Sequence, residues 1–415
     1  MRYIIIGNSA AGIGAVEGIR QVDKQGEITI ITDEPHHTYS RPLISYLLKG
    51  SVTREAMAYR PMNFYEKHGC TLLSNTKATR ISPTEKRVTL GDGTTIPYDK
   101  LLVATGSSPF APPFEGLNTV QNQFTFMTLE DAENLNATLG PEKRVLIVGA
   151  GLIGLKCAEG ILARVAQVTV ADLAPRILSS ILDDTGAKMV QDHLESKGIS
   201  FLLSCGIKRL ESNCAILETG EKIAFDILVL AVGVRPNVTL LQGIADIQRG
   251  IAVNAKSETT APDIYAAGDC TQTLDISSGE SKIMAVLPNA YMQGECAGVN
   301  MAGSAAAPLN EKAFTKAFPM NAIGFLGLHI ITAGHYSGEE YCRQDGKNYK
   351  RLFYEKNRLN GFILIGDVQK AGIYTNLIRE GTPLDAIDFP LVCQKPGLMA
   401  FSTAQRRMQL GGEAR

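Results

Sequence analysis

Two glycine loops, each followed by an acid, carry the chemistry most readily read from this chain. Gly149-Ala150-Gly151-Leu152-Ile153-Gly154 is a full G-x-G-x-x-G, and Gly7-Asn8-Ser9-Ala10-Ala11-Gly12-Ile13-Gly14 is a near copy with Ser9 in place of the middle glycine. Such a loop bends tightly, lets the backbone approach a pyrophosphate, and seats that anion at a helix N-terminus, where unpaired N–H groups face it. Glu34, 22 residues after Gly12, and Asp172, 18 residues after Gly154, stand where a carboxylate can accept hydrogen bonds from ribose hydroxyls. A dinucleotide at each loop is the expectation. Asp172 would accept from a free 2′-OH and repel a 2′-phosphate, which favours NAD(H); Arg176, four residues later, could instead pair with that phosphate.

The loops need strands before them and helices after them. Tyr3–Ile6 and Val145–Val148 are short apolar runs of the kind buried on both faces of a parallel sheet, and the small residues in Ala15–Arg20 would let a helix pack close. Second strands, Ile28–Thr32 and Val168–Ala171, lead to the two acids. A later apolar strand ending in glycine follows in each copy, Leu101–Gly106 and Leu228–Gly233. A duplicated strand, glycine loop, helix and strand is far more specific than either loop alone.

Composition narrows the class. At 415 residues the chain exceeds one ordinary core, and 45% apolar with 20% charged residues places it among globular proteins. Glycine, at 40 residues, exceeds the usual share of about 7%. Lys+Arg 41 against Asp+Glu 42 gives a net charge of −1, so no global field draws it to nucleic acid or an anionic membrane. Cysteines 70, 157, 205, 214, 270, 296, 342 and 393 contain no C-x-x-C, which argues against a thioredoxin-type pair or a ferredoxin-like cluster. No apolar run reaches bilayer length, and Tyr3–Ile6 is too short for a signal peptide core. A cytoplasmic protein with reduced thiols is expected. The six histidines show no metal spacing, and no metal is expected.

With these residues in view, the chain resembles the two-dinucleotide-binding flavoprotein oxidoreductases, the pyridine nucleotide-disulfide oxidoreductase family. The marks are the first loop, Tyr98–Pro109, the second loop, Gly233-Val234-Arg235-Pro236-Asn237 and Ile264–Cys270. The resemblance implies an α/β chain with two Rossmann-like dinucleotide-binding domains, the second inserted in the first, and a C-terminal α+β domain. Its expected boundaries are 1–115 with 240–312 for FAD, 116–239 for NAD(H), 313–390 for an interface domain, and a tail at 391–415. For FAD it points to Gly7, Ser9, Ala10, Ala11 and Gly12 in the loop, then Glu34, Arg41, Pro42 and Ala78. Ala104, Thr105 and Gly106 follow, with Gly268, Asp269 on the ribityl chain, and Pro288, Asn289 and Ala290 at a helix start beneath the flavin. For NAD it points to Gly149, Gly151, Leu152, Ile153, Gly154, Asp172, Val232 and Gly233, and to Glu159 near the nicotinamide.

One departure decides the reaction class. Relatives that reduce disulfides carry a cysteine pair after the second strand, and an oxidase, peroxidase and coenzyme A disulfide branch carries one; ungapped alignment puts Ile44 there. Carbon cannot be a sulfenate or a charge-transfer thiolate, and only Cys270 and Cys296 could intrude. The flavin then remains to accept two electrons from NADH and release them singly. Hydride transfer needs stacking and exclusion of water rather than an acid–base residue. Tyr39-Ser40-Arg41-Pro42 resembles rubredoxin, ferredoxin and assimilatory nitrite reductase flavoproteins, but their lysine near position 46 is Tyr46 here. Phe126-Met127 likewise replaces the usual Leu-Arg before Thr128-Leu129-Glu130-Asp131-Ala132.

From Phe314 short strands are expected, Phe318–Leu328, Ile330–Thr332, Tyr349–Tyr354 and Leu359–Ile365, with turns at Asn357 and Asn360-Gly361 and a helix over Lys370–Arg379. Residues 391–415 read as a frayed tail, with Arg406-Arg407 able to meet an acidic partner. The leading expectation is an FAD enzyme exchanging electrons between NAD(H) and an iron-sulfur protein or subunit, with a homodimer contact through the third domain. Gly7–Gly14 and Tyr39–Gly50 resemble the NAD-coupling subunits of 2-oxoacid oxidoreductases such as phenylglyoxylate dehydrogenase. The alternatives are an NADH oxidase and a nonenzymatic redox-sensing flavoprotein.

Overall fold

A computed structural model describes residues 1–303, 312–402 and 406; Arg407, and with it the basic pair read near the terminus, lies outside the described residues. The chain forms two compact units, one of Met1–Ser180, Leu194–Thr273 and Ser281–Thr315, the other of Ile181–His193, Leu274–Glu280 and Lys316–Arg415. The fold is α/β.

The first unit holds two parallel five-stranded sheets. In one, the order is Ile264–Ala266, Lys100–Val103, Arg2–Ile6, Glu27–Ile31, Cys70–Leu73. Tyr3 and Ile5 point into one apolar cluster and Ile4 and Ile6 into another, so the unbroken apolar run serves both faces. The other sheet repeats the plan as Ile199–Leu202, Gln167–Ala171, Arg144–Val148, Ile227–Leu230, Gln123–Thr125. The copies differ in the fifth strand. In the first sheet it follows the whole second sheet in sequence, and in the second it precedes the glycine loop. The chain therefore leaves the first sheet after Val103 and returns to it at Ile264.

The helix after the first loop, Ala10–Val22, packs along Leu287–Ala302. Their contact is made by glycines: a Cβ on Gly14 would lie 2.3 Å from the Tyr291 carbonyl oxygen, and one on Gly298 would lie 2.2 Å from that of Ala15. Only hydrogen on these faces lets the two backbones touch. The long helix thereby presents its first turn beside the glycine loop, where Gly268 lies between Ala11 and Ala290.

The second unit is an antiparallel sheet ordered Met320–Phe325, Leu328–Gly334, Arg358–Ile365, Asn348–Glu355, Glu339–Asp345, with the helix Ala371–Glu380. Four expectations need correction. The strand read as Phe318–Leu328 is broken at Leu326-Gly327, both at positive φ, which makes a two-residue hairpin turn. The turn near Asn357 is Lys356-Asn357, and Asn360-Gly361 lies inside a strand, where a Cβ on Gly361 would meet the His335 carbonyl oxygen at 2.4 Å. Glu339–Asp345 is an additional edge strand, mostly exposed and hence without an apolar signal.

The fourth correction concerns the tail. Residues 389–402 are packed, not frayed: Val392, Cys393, Ala400 and Phe401 are buried in the same cluster as Phe362 and Tyr374. Asp388 caps Phe389–Gln394 by accepting from the Leu391 N–H at 3.0 Å, and Tyr374 donates to the Val392 carbonyl at 3.0 Å. The core of the second unit thus runs past residue 390. No helix among the described residues is long and apolar enough to cross a membrane.

Candidate functional site

Both glycine loops share one backbone plan. Gly7 and Gly149 take φ of +122° and +114°, and a Cβ on them would reach the carbonyl oxygens of Ala104 and Ala231 at 2.1 and 2.2 Å. The loops bring Gly7 against Ala104 and Gly149 against Ala231-Val232, so each turn lies over the C-terminal end of a neighbouring strand. The helices that follow begin at Ala10 and Leu152 after Ser9 and Gly151, and neither start has a side-chain cap. By contrast, Leu129–Thr138 carries a full capping box, Thr128 accepting from the Asp131 N–H and Asp131 from that of Thr128. Uncapped first-turn N–H groups, and open space around Gly151 and Gly106, fit phosphate-bearing dinucleotides at both loops.

Around the first loop the side chains interlock. Glu34 pairs with the Arg41 guanidinium and accepts from Tyr39 Oη at 2.7 Å, while Arg41 Nε lies 3.4 Å from Ser9 Oγ and Tyr39 Oη accepts from the Leu129 N–H at 3.0 Å. Burial disfavours the Arg41 charge, but Tyr39 and Glu34 more than offset it and hold the guanidinium protonated. Burial pushes the Asp269 carboxyl up, against the opposing pull of Arg41 and the Ser107 hydroxyl. Glu34, Arg41 and Ser9 thus form one polar wall, with Pro42 inside the short 3₁₀ turn Arg41–Leu43. Ala78 stands apart. Its side chain belongs to the core, beside Ile6 and Ile31, which leaves its backbone as the polar group it can offer.

Three residues take positioning roles that the motifs did not assign. Gln293 accepts from the Gly268 N–H at 2.8 Å and lies 3.0 Å from Thr271 Oγ1, fixing the turn that carries Asp269. Asn237 donates to the Thr105 carbonyl at 2.9 Å, and its own carbonyl accepts from Thr105 Oγ1 at 2.7 Å. The strand Val234–Pro236 also pairs with Ser107–Pro109. The quoted motifs at 105–109 and 233–237 therefore serve each other. Gln293 could have been found as the residue one turn after Asn289, both buried at the start of the same helix.

At the second loop, Asp172 accepts from the Ala150 N–H at 2.6 Å and the Ala174 N–H at 2.8 Å, which fixes its carboxylate at the strand end. Leu152, Ile153 and Gly154 form the first turn of Leu152–Ile161, and Glu159 lies further along it, 7% exposed. Glu159 accepts from Lys156 at 2.5 Å and faces Lys49 at 3.4 Å, while the Lys156 ammonium sits 4.5 Å over the Tyr46 ring. Lys49 and Lys156 thus both lie on Glu159, with Tyr46 beneath Lys156. Lys49, the third missed residue, is one turn along from Tyr46.

Ile44 is buried at the start of Ile44–Leu48. All eight cysteines are free thiols. Burial pushes Cys270 up to about 11 and raises Cys157 and Cys296, so these groups are protonated near neutrality rather than thiolates.

Residues 1–294 match the pyridine nucleotide-disulphide oxidoreductase family, and residues 319–382 match the rubredoxin NAD⁺ reductase C-terminal domain. The chain is 30% identical over 395 residues to the NADH-dependent phenylglyoxylate dehydrogenase subunit epsilon of Aromatoleum evansii, covering 92% of each protein. It is 33% identical over 348 residues to the NADH oxidase of Methanocaldococcus jannaschii, covering 80% of this chain and 77% of that one. A 30% match to the Bacillus subtilis nitrite reductase covers 91% of this chain but only 47% of that longer protein. Among solved structures, a covalent putidaredoxin reductase–putidaredoxin complex matches with a TM-score of 0.87 at 20% identity, over 100% of this chain and 99% of that one, a likeness of fold. The duplicated loops, their acids and these matches together make the chain a member of the pyridine nucleotide-disulphide oxidoreductase family, an oxidoreductase that works with FAD and NAD(H).

Proposed function

We propose that this enzyme passes electrons between NAD(H) and a separate iron-sulfur protein or subunit through its FAD, without a redox-active thiol. The observation that carries the reading is Ile44, a buried hydrocarbon where thiol-using relatives have cysteine, in a chain whose Cys157, Cys270 and Cys296 burial keeps protonated. The match of residues 319–382 to a rubredoxin reductase domain supports an iron-sulfur partner, and the Aromatoleum relative supports a place as the NAD-reducing subunit of a 2-oxoacid dehydrogenase.

In this reading FAD occupies the segments 1–115 and 240–312, where the first-loop N–H groups hold its pyrophosphate, Glu34 and Arg41 orient its adenosine half, and Asp269, held by the Gln293-fixed turn, holds the ribityl chain. NAD(H) occupies 116–239, with its phosphates at Gly151–Gly154 and its ribose at Asp172. Glu159 orients the nicotinamide, and residues 313–402 form the partner- or dimer-facing domain. The cofactors supply the hydride and electron chemistry; the chain binds, aligns and excludes water.

The test is anaerobic mixing of the FAD-loaded protein with NADH, then addition of oxidised rubredoxin or ferredoxin. Flavin bleaching followed by rapid reduction of the iron-sulfur protein is expected; bleaching that no such protein reverses would overturn the reading. The relative named NADH oxidase favours a second reading, transfer straight to oxygen. Rapid NADH-dependent oxygen consumption by the isolated chain would establish it instead.

A further inference from the structure

The loop between Glu34 and Arg41 holds two polar atoms that no described residue bonds. Thr38 is 2% exposed, and among the described residues neither its Oγ1 nor the buried Nε2 of His37 has a hydrogen-bond partner. An unsatisfied buried polar group is costly, and native proteins carry few. Both side chains line a small recess shared with Ser9, Glu34 and Arg41, the polar wall of the first glycine loop.

The loop is braced from behind. Thr38 donates its N–H to Tyr65 Oη at 3.2 Å, Tyr65 donates to Asn8 Oδ1 at 2.8 Å, and the His37 ring packs edge-on against Tyr65 at 4.9 Å. His37 Nδ1 lies 3.0 Å from the Thr38 carbonyl oxygen. A carbonyl only accepts, so Nδ1 donates to it and Nε2 is the ring nitrogen left to bond. A sugar hydroxyl can meet it, since a hydroxyl both donates and accepts.

We propose that His37 Nε2 accepts a hydrogen bond from a ribose hydroxyl on the adenosine half of FAD, and that Thr38 Oγ1 bonds an oxygen of the same half. Glu34 and His37 then hold one ribose between them, and the cofactor satisfies two groups that no described residue bonds. The inference rests on the placement of FAD at the first loop.

The test titrates apoprotein with FAD, and with FAD analogues carrying 2′-deoxy- or 3′-deoxyadenosine, following flavin fluorescence. His37→Leu and Thr38→Val should each weaken FAD about tenfold, equivalent to about 1.4 kcal/mol. Wild type should also lose affinity for one deoxy analogue. His37→Leu should lose nothing further on that analogue, and His37→Gln, which keeps an acceptor, should recover part of the loss. Unchanged FAD affinity in both variants would overturn the inference, as would an equal loss by His37→Leu on FAD and on both analogues, which would mark a structural role. Failure of the wild type to bind FAD would instead overturn the placement of FAD itself.

Discussion

Arg2 and Asp99 form a clamp that recurs, atom for atom, as Arg144 and Asp226. In each case the arginine opens the strand that runs into a glycine loop and donates its own N–H to the aspartate, at 2.7 and 2.8 Å. Its guanidinium donates to the other carboxylate oxygen at 2.8 and 3.0 Å, and the aspartate N–H returns to the arginine carbonyl at 2.9 and 2.8 Å. The duplication therefore extends from the glycine loops to the opposite ends of the strands, where the strand entering each loop is registered against the one leading to Gly106 or Gly233.

The arginine holds each carboxyl near pKa about 2, chiefly through the side-chain hydrogen bond. That lies below the unfolded value of about 3.9, so the clamp's stabilisation is present above about pH 4 and is lost as pH falls through about 2. Both carboxylates are partly exposed, and the effect is modest. Asp226→Asn should lower Tm by roughly 1–3 °C at pH 7, with the difference from wild type shrinking below pH 4. Thermal melts at pH 7, 4 and 2.5 check it; a gap that stays constant would show that charge is not responsible.

Gly294 faces Ala11 so closely that a Cβ would come within 2.0 Å of its carbonyl oxygen. Gly294→Ala must push the long helix off the helix that follows the first loop, and with it the turn carrying Asn289, Ala290 and Gln293. Backbone gives little, so a cost of about 1–3 kcal/mol or more is expected. The variant should melt several degrees lower and lose most of its FAD, read as the visible absorbance remaining after gel filtration. Full FAD retention would mean that this helix start does not seat the flavin.

Such contacts explain what could be read in advance. Tyr3–Ile6, Val145–Val148, the glycine loops and the strands reaching Gly106 and Gly233 announce themselves because buried parallel strands and tight turns restrict residue type locally. Gln293, Asn237 and Lys49 do not, since a hydrogen bond across 25 or 132 residues leaves no periodic trace. The packed segment 389–402 was missed for a related reason. Its buried positions, Val392, Cys393, Ala400 and Phe401, are interrupted by the exposed Gln394 and Lys395 and follow no single period.

Glu159 is 7% exposed between two ammonium groups, and their redundancy has a measurable signature. Removing one lysine leaves the other ammonium on the carboxylate, whereas removing both takes away the two cations together, so the two losses are coupled. Lys49→Met and Lys156→Met should each shift Tm only slightly, and the double variant by clearly more than their sum. If Glu159 aligns the nicotinamide as proposed, Glu159→Gln should keep its FAD yet bleach about tenfold more slowly with NADH in stopped flow. Additive lysine effects would contradict a shared carboxylate.

Asp172 is held by two backbone N–H groups, from Ala150 in the second loop and from Ala174 beyond the strand, which fix its carboxylate at the strand end. A rigid anion repels a 2′-phosphate without being able to turn away. Asp172→Ala removes the repulsion and the acceptor together: kcat/KM for NADH should fall about tenfold while that for NADPH rises, so that the NADH:NADPH preference drops by about two orders of magnitude. Asp172→Asn keeps the shape and removes the charge. It should recover NADPH use without restoring NADH use, since an amide turned to receive the two backbone N–H groups with its oxygen directs its NH₂ at the ribose. Steady-state ratios for the three proteins decide the matter, and an unchanged ratio in Asp172→Ala would move the specificity-determining contact elsewhere in the loop.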